Sequence, residues 1–227
     1  MALSLRDHTE YPIALAADDF IIDLAKNKYR SVFDHMTLLP LRFREGRALK
    51  YGAAEASPFE ETIFVDADCI VLDSLDDLFA TLDTNDLAMV GEHLTLADDT
   101  RHHGFSTRAL IRRFRLESYL KTNSGLFCFR RSRAIAILED CLKCYLKEVR
   151  PQLRYSILLG RWLGDEIAFG IVGGRKGVGT LPKPDPMYWP QEFESLNLNA
   201  PGKPLLHMIW PPKEEVFEEL MSATTVR

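Results

Sequence analysis

The sequence predicts an α/β protein in which a mixed sheet is flanked by helices. Two observations support this prediction. Short apolar runs of the kind found in strands alternate with helical patterns over the first part of the chain, up to Gly91. The chain has 227 residues, of which 46% are hydrophobic, so it can bury a sizeable core. We expect a single domain over residues 1–227.

The predicted elements begin with strand, helix, strand and helix, followed by three strands. In chain order these are residues 12–16, 20–26, 36–39, 49–56, 62–65, 69–72 and 87–91. Residues 62–65 form a short β-prone run typical of a strand buried in a parallel sheet. The sheet is therefore expected to form mainly in the first half of the chain.

The second half starts with a polar segment, residues 98–121, that is rich in arginine and contains His102 and His103. Its arginines are Arg101, Arg108, Arg112, Arg113 and Arg115. A solvated helix face and a loop that faces an anion or an acceptor are both compatible with this pattern. Further on we predict a strand at 126–129, a helix at 132–148, an irregular proline-rich stretch from Pro182 to Pro190, and a last strand at 205–209. The tail from Lys213 is expected to be a charged helix or disordered.

Composition narrows the functional class. The formal net charge of −5 argues against a general nucleic-acid binder. Cys141 and Cys144 have a C-x-x-C spacing but no second Cys or His pair, so we interpret them as core thiols of the 132–148 helix in a reducing compartment. No apolar run approaches the length of a membrane span, and charge appears early, at Arg6, so we expect a cytoplasmic protein without a signal peptide.

An apolar strand ends at the triplet Asp66-Ala-Asp68, which is the most informative motif. If the chain stays extended there, the two carboxylates point the same way and converge on one hard cation. Such a cation could neutralise a diphosphate. A solvated turn is the alternative for the triplet taken alone. The position favours a site, because open α/β sheets bind ligands outside the carboxyl ends of their strands.

Four segments in the same order resemble glycosyltransferase family 8, the glycogenin-like enzymes. In chain order they are Lys50, then Phe64-Val-Asp-Ala-Asp-Cys-Ile-Val-Leu with Asp76-Asp-Leu-Phe79, then Asn123-Ser-Gly125, and last His207-Met-Ile-Trp-Pro-Pro-Lys213. The resemblance implies a GT-A type, Rossmann-like domain that lacks the family's first strand. The strands on either side of the missing strand are then expected to close the gap between them. The alternative is that the reading frame is truncated.

The resemblance also implies an activity and its residues. The activity is metal-dependent transfer of a hexose, with retention, from a nucleoside-diphosphate sugar, expected to be UDP-linked, to an unknown carbohydrate, lipid or protein acceptor. Mn2+ or Mg2+ would be held by Asp66, Asp68 and His207, a mixed N/O set that suits manganese. The predicted substrate-binding residues are Lys50, Asn123, Ser124, Gly125 and Lys213.

Asp165 and Glu166 are the predicted catalytic residues, with Asp165 on the donor sugar and Glu166 near the reacting carbon. Two positions depart from the family pattern: Glu166 replaces a glutamine and Trp210 replaces a glycine. On local grounds Asp165 and Glu166 are also compatible with a helix cap, and Asn-Ser-Gly with a turn.

Two other classes stay open. One is a non-catalytic sugar-nucleotide binding protein descended from the family, and the other is a metal-dependent nucleotidyltransferase. The segment from Arg101 to Arg115 is the candidate acceptor surface, and a monomer and a homo-oligomer both stay open.

Overall fold

The computed structural model describes residues 1–44, 46–152, 164–189, 192–193, 196–198 and 200–208. Three residues named above, Pro190, Trp210 and Lys213, lie outside these ranges, as does the predicted tail. None of the described helices is long and apolar enough to cross a membrane.

Helices and strands alternate along the described chain as the sequence predicts. The α-helices are α1 Ala2–Arg6, α2 Asp19–Lys28, α3 Ala53–Ala56, α4 Thr107–Phe114, α5 Arg131–Cys144 and α6 Asp165–Lys176. The strands are β1 Ala14–Ala17, β2 His35–Leu38, β3 Glu61–Val65, β4 Cys69–Val71, β5 Leu87–Leu94, β6 Arg101–His102, β7 Phe105–Ser106, β8 Tyr119–Arg130, β9 Gly179–Thr180, β10 Met187–Tyr188 and β11 Leu205–His207. The 3-10 helices Leu41–Phe43, Gly46–Gly52, Asp76–Asp83 and Arg150–Gln152 and the π-helix Tyr145–Val149 complete the list.

The long strand β8 organises the main sheet, whose strand order is β3-β8-β5-β9. β3 and β5 run antiparallel to β8, and β9 runs parallel to β5. A second sheet has the order β10-β11-β4, with β11 antiparallel to β4. The predicted α/β class with a mixed sheet is therefore confirmed.

Strand β3 differs from its prediction. It pairs with β8 in antiparallel fashion, and none of its residues is fully buried, so it is not a central parallel strand. β4, which follows it after only three residues, belongs to the second sheet. A turn at 66–68 redirects the chain between the two sheets, which the apolar pattern alone did not predict.

The parallel pair β1-β2 stays separate from the main sheet in the described residues. Among the described residues, β1 pairs only with β2 and β3 only with β8, so these strands do not close into one sheet. Helix α1 contacts the second sheet instead, where the Ser4 hydroxyl accepts a hydrogen bond of 3.0 Å from the Val71 amide.

Helix α6 packs closely on β8 because it presents glycines to that strand. A Cβ on Gly170 would lie 2.4 Å from the Tyr119 ring, and one on Gly174 would lie 1.9 Å from the Ser118 carbonyl oxygen. Any side chain there would push the helix away. This close packing brings the start of α6 next to the middle of β8.

The predicted core thiols are confirmed, since Cys141 and Cys144 are free and buried in the main core. The arginine-rich segment forms the β6-β7 hairpin and α4. Helix α4 buries Leu110 and Ile111 and exposes Arg112 and Arg113, so the solvated-face interpretation holds for this helix.

Candidate functional site

The Asp66-Ala-Asp68 triplet forms a turn, closed by a 3.2 Å hydrogen bond from the Cys69 amide to the Asp66 carbonyl. The chain is not extended there, and in this structure the two carboxylates have different partners. Asp66 points to Lys50, with Oδ2 2.6 Å from Nζ. Asp68 faces His207, with Oδ1 3.4 Å from Nε2. The triplet therefore supplies one carboxylate to each of two neighbouring groups.

The segment Asn123-Ser-Gly125 lies inside β8 at a bulge. The register with β5 jumps from Phe127 opposite Met89 to Asn123 opposite Val90, which leaves the residues between them unpaired with β5. The Asn123 side-chain oxygen accepts a 2.8 Å hydrogen bond from the Gly125 amide and so holds the bulge. The segment is therefore part of a strand in which the Asn123 side chain closes a local turn, and one acceptor that we predicted for a sugar is already engaged.

Lys50 joins three parts of the chain that are far apart in sequence. Its ammonium donates to Asp66 and, at 2.8 Å, to the Ser124 hydroxyl, and it lies 3.5 Å from Asp165 Oδ2. Burial opposes the charged form, but Asp165 and Asp66 outweigh it and raise the pKa of Lys50. Burial also raises the pKa of Asp66, which Lys50 counteracts. Three predicted residues, Lys50, Ser124 and Asp165, thus form one charged cluster with Asp66.

Asp165 begins α6, and its side chain does not cap that helix. It accepts a 2.7 Å hydrogen bond from the Ser124 hydroxyl, while the buried Tyr51 hydroxyl donates to the Asp165 carbonyl at 3.1 Å. The helix-cap interpretation is therefore wrong for this carboxylate. Tyr51, which sequence analysis did not single out, fixes the helix start.

Glu166 lies between the bulge and the β6-β7 hairpin. Its Oε1 accepts from the Ser124 amide at 3.1 Å, and its Oε2 contacts the imidazoles of His102 and His103. Although burial opposes ionisation, hydrogen bonds from these histidines hold the pKa of Glu166 far below its usual value. The adjacent His-His pair followed by Gly104 was the sequence signal for this contact, but the pattern alone did not connect it to Glu166.

Asp68 and His207 fit a hard divalent cation. Their side-chain ligand atoms lie within 4.8 Å of each other and of the Cys69 sulfur, a group that does not include Asp66. His207 is buried, and its Nδ1 has no hydrogen-bond partner among the described residues, whereas the Asp68 side chain is 56% exposed and leaves room for further oxygen ligands. Burial raises the pKa of the Cys69 thiol, and sulfur is a soft ligand that suits a hard cation less well than oxygen does.

The site thus has two halves joined by the turn at 66–68. One half offers a carboxylate and an imidazole to a cation. The other offers an ammonium, a hydroxyl and a carboxylate, which are groups that bind sugar hydroxyls. The predicted phosphate ligand Lys213 lies outside the described residues.

Comparison with known proteins adds evidence on the fold. No protein-family model and no curated protein sequence matches the chain. Among solved structures, the glycosyltransferase GlyE of Streptococcus pneumoniae TIGR4 matches with a TM-score of 0.62 and 14% identity, over 99% of this chain and 56% of that one. The present chain therefore spans just over half the length of GlyE.

The galactosyltransferase LgtC, solved with donor and acceptor sugar analogues, matches with a TM-score of 0.54 and 14% identity over 100% of this chain and 92% of that one. An active-site Gln-to-Glu mutant of LgtC gives a TM-score of 0.58 and 15% identity over 98% and 91%. The chain therefore has the GT-A glycosyltransferase fold that the motifs implied. At these identities the similarity establishes the fold alone.

Proposed function

We propose that the chain is a metal-dependent glycosyltransferase that moves a hexose from a nucleoside-diphosphate sugar, with UDP as the expected nucleotide, to an acceptor hydroxyl. The observation that carries this proposal is the charged cluster of Lys50, Asp66, Ser124 and Asp165. Its members come from separate segments of the chain and meet beside a cation-ligand pair on a GT-A fold.

Asp68 and His207 would hold Mn2+ or Mg2+, with Asp66 as the third predicted ligand. When bound, the cation acts as a Lewis acid on the leaving diphosphate. Asp66 is paired with Lys50 in this structure, so it would join the cation by moving away from the ammonium. That exchange would free Lys50 to contact a phosphate or a sugar oxygen, and Lys213 stays the predicted second phosphate contact.

Asp165 is assigned to the donor sugar. Its carboxylate can accept hydrogen bonds from sugar hydroxyls, and the neighbouring Lys50 and Ser124 supply donors. Glu166 was predicted to lie near the reacting carbon. Because its carboxylate contacts the Ser124 amide and two histidines, we assign it to holding the bulge in place. Retention of configuration remains a prediction.

Nucleotide release from a panel of nucleoside-diphosphate sugars, with Mn2+ or with EDTA, tests the proposal. We expect at least one donor to be hydrolysed slowly in Mn2+ alone, when water replaces the acceptor. Asp68→Asn should lower that rate by about 100-fold or more, because a catalytic cation contributes several kcal/mol. Asp23→Asn, which changes an exposed aspartate of α2, should have no effect. Equal rates for Asp68→Asn and the parent chain would exclude the cation assignment.

A non-catalytic sugar-nucleotide binding protein is the second candidate. The observation in its favour is that Asp66 and Asp165 are both already paired with Lys50, so the groups needed for cation and sugar are engaged within the protein. Calorimetry with the same donors separates the two functions. Binding of a donor with no nucleotide release under any metal would select the binding protein.

A further inference from the structure

The β6-β7 hairpin directs two adjacent histidines at one carboxylate. Successive side chains of a strand point to opposite faces, but His103 has a left-handed backbone with φ of 49° and is followed by Gly104 at φ of 82°. This backbone turns both rings to the same side, with their centroids 4.5 Å apart. Positive φ at both central residues is what a two-residue hairpin turn requires, so this arrangement of the rings is built into the hairpin.

The donor atoms of His102, His103 and Glu166 have the spacing of metal ligands. All three lie within 4.8 Å of one another, and His102 Nε2 is 3.6 Å from Glu166 Oε2. Two ligands bound at about 2.0–2.1 Å to a tetrahedral Zn2+ are about 3.3–3.4 Å apart. Small side-chain movements would therefore complete the site.

Both ends of this cluster are held by outer contacts. His102 Nδ1 shares a 2.7 Å hydrogen bond with the buried Tyr119 hydroxyl, which leaves Nε2 facing the carboxylate. Glu166 Oε1 accepts from the Ser124 amide, which leaves Oε2 facing the rings. Metal-binding histidines typically have such a partner on their second nitrogen.

Charge and access also suit a dication. The Glu166 side chain is only 13% exposed, so a cation beside it would compensate a largely desolvated carboxylate. The His103 side chain is 28% exposed, so solvent can reach the cluster and supply a fourth ligand.

We propose that His102, His103 and Glu166 bind a zinc-class dication, with water in the fourth position, and that this metal joins the β6-β7 hairpin to the first turn of α6. The site is separate from the cation at Asp68 and His207. It involves no donor sugar, so it can exist whether or not the chain transfers sugar.

Metal binding by tag-free Asp68→Asn protein, which lacks a carboxylate of the other site, tests the proposal. Titration with Co2+ alone should show one equivalent bound, with the intense visible absorption of a four-coordinate site, and Zn2+ should displace it. His103→Ala and Glu166→Gln should each weaken Zn2+ binding at least about 10-fold, and Tyr119→Phe, which removes only the outer hydrogen bond, by about 10-fold. His35→Ala, at an exposed histidine on β2, should bind Zn2+ as the parent does.

Circular dichroism and thermal melts of the metal-free variants identify any variant that fails to fold. If His103→Ala does not fold, Tyr119→Phe and Glu166→Gln test the site in its place. If Zn2+ binds no more weakly to folded His103→Ala and Glu166→Gln than to the parent, the site does not exist. If the parent binds no Zn2+ while His103→Ala lowers the melting temperature, the three residues form only a hydrogen-bonded contact. Because these assays use metal alone, a negative result leaves the proposed transferase activity standing, and an inactive transferase leaves this site standing.

Discussion

The imidazole of His207 lies directly against the α-carbon of Gly125. A Cβ at position 125 would be 2.7 Å from His207 Cε1 and 3.0 Å from its Nδ1. His207 ends β11 in the second sheet, and Gly125 lies in the bulge of β8 in the main sheet. This contact therefore sets the distance between the cation half and the sugar half of the site.

Gly125→Ala should weaken Mn2+ binding and lower donor turnover, because the new methyl group pushes the His207 ring away from Asp68. Overpacking of this kind costs about 1–3 kcal/mol of folding free energy. Calorimetry with Mn2+ and urea denaturation measure the two effects.

Gly202→Ala is the matched control for this substitution. Among the described residues, its Cβ would meet only the Tyr188 hydroxyl, at an ordinary 3.4 Å. Unchanged Mn2+ affinity in folded Gly125→Ala would contradict the inferred coupling between the two halves.

The sequence located the strands and the site segments well, because local signals determined them. The apolar run before Asp66 and the motif at 123–125 were each found where the structure has β3 and the bulge. Local patterns could not predict which way the side chains in these segments point. The turn at 66–68 sends Asp66 and Asp68 to different partners, since its hydrogen bond depends on the chain passing from one sheet to another.

Long-range contacts explain the other differences. The pairing of Glu166 with His102 and His103 spans more than 60 residues and depends on the left-handed backbone of His103, for which a sequence gives no periodic signal. The Lys50 spacing was noticed only through the family resemblance. The structure pairs Lys50 with Asp66, which the sequence did not predict, whereas its role in binding substrate stays a prediction.

Asp34 should make the fold sensitive to acid. Its carboxylate accepts from the Ile13 amide at 2.7 Å and from Arg6 at 2.5 Å, and these bonds, the Ile13 amide first, lower the pKa of Asp34. A pKa lowered by folding stabilises the protein above the unfolded value of about 3.9, and this stabilisation is lost as the pH falls through the folded value. Asp34→Asn should therefore melt below the parent at pH 7, with the difference shrinking below about pH 4.

Thermal melts between pH 7 and pH 3 test this prediction, with Asp23→Asn as the control because Asp23 is an exposed residue of α2. A difference between Asp34→Asn and the parent that is constant across this range would mean that ionisation of Asp34 does not stabilise the fold.

Removal of Lys50 should destabilise the protein by leaving carboxylates unpaired. The side chains of Lys50, Asp66 and Asp165 are only 22%, 17% and 10% exposed. Lys50→Met should cost about 3 kcal/mol of folding free energy, at the low end for a broken buried pair because the cluster keeps some solvent contact. Urea denaturation at pH 7 measures this cost.

The double variant Lys50→Met with Asp66→Asn shows how much of the lost folding free energy comes from the unpaired Asp66 carboxylate rather than from the lost attraction between Lys50 and Asp66. Because it removes the carboxylate that Lys50→Met leaves uncompensated, it should be more stable than Lys50→Met alone by about 1–2 kcal/mol, within the usual range for coupled neighbours. Lys143→Met, which breaks only exposed ion pairs on α5, should change stability little. If the single and double variants unfold at the same urea concentration, the charge of Asp66 does not depend on Lys50. The proposed movement of Asp66 from Lys50 to the cation then loses its basis.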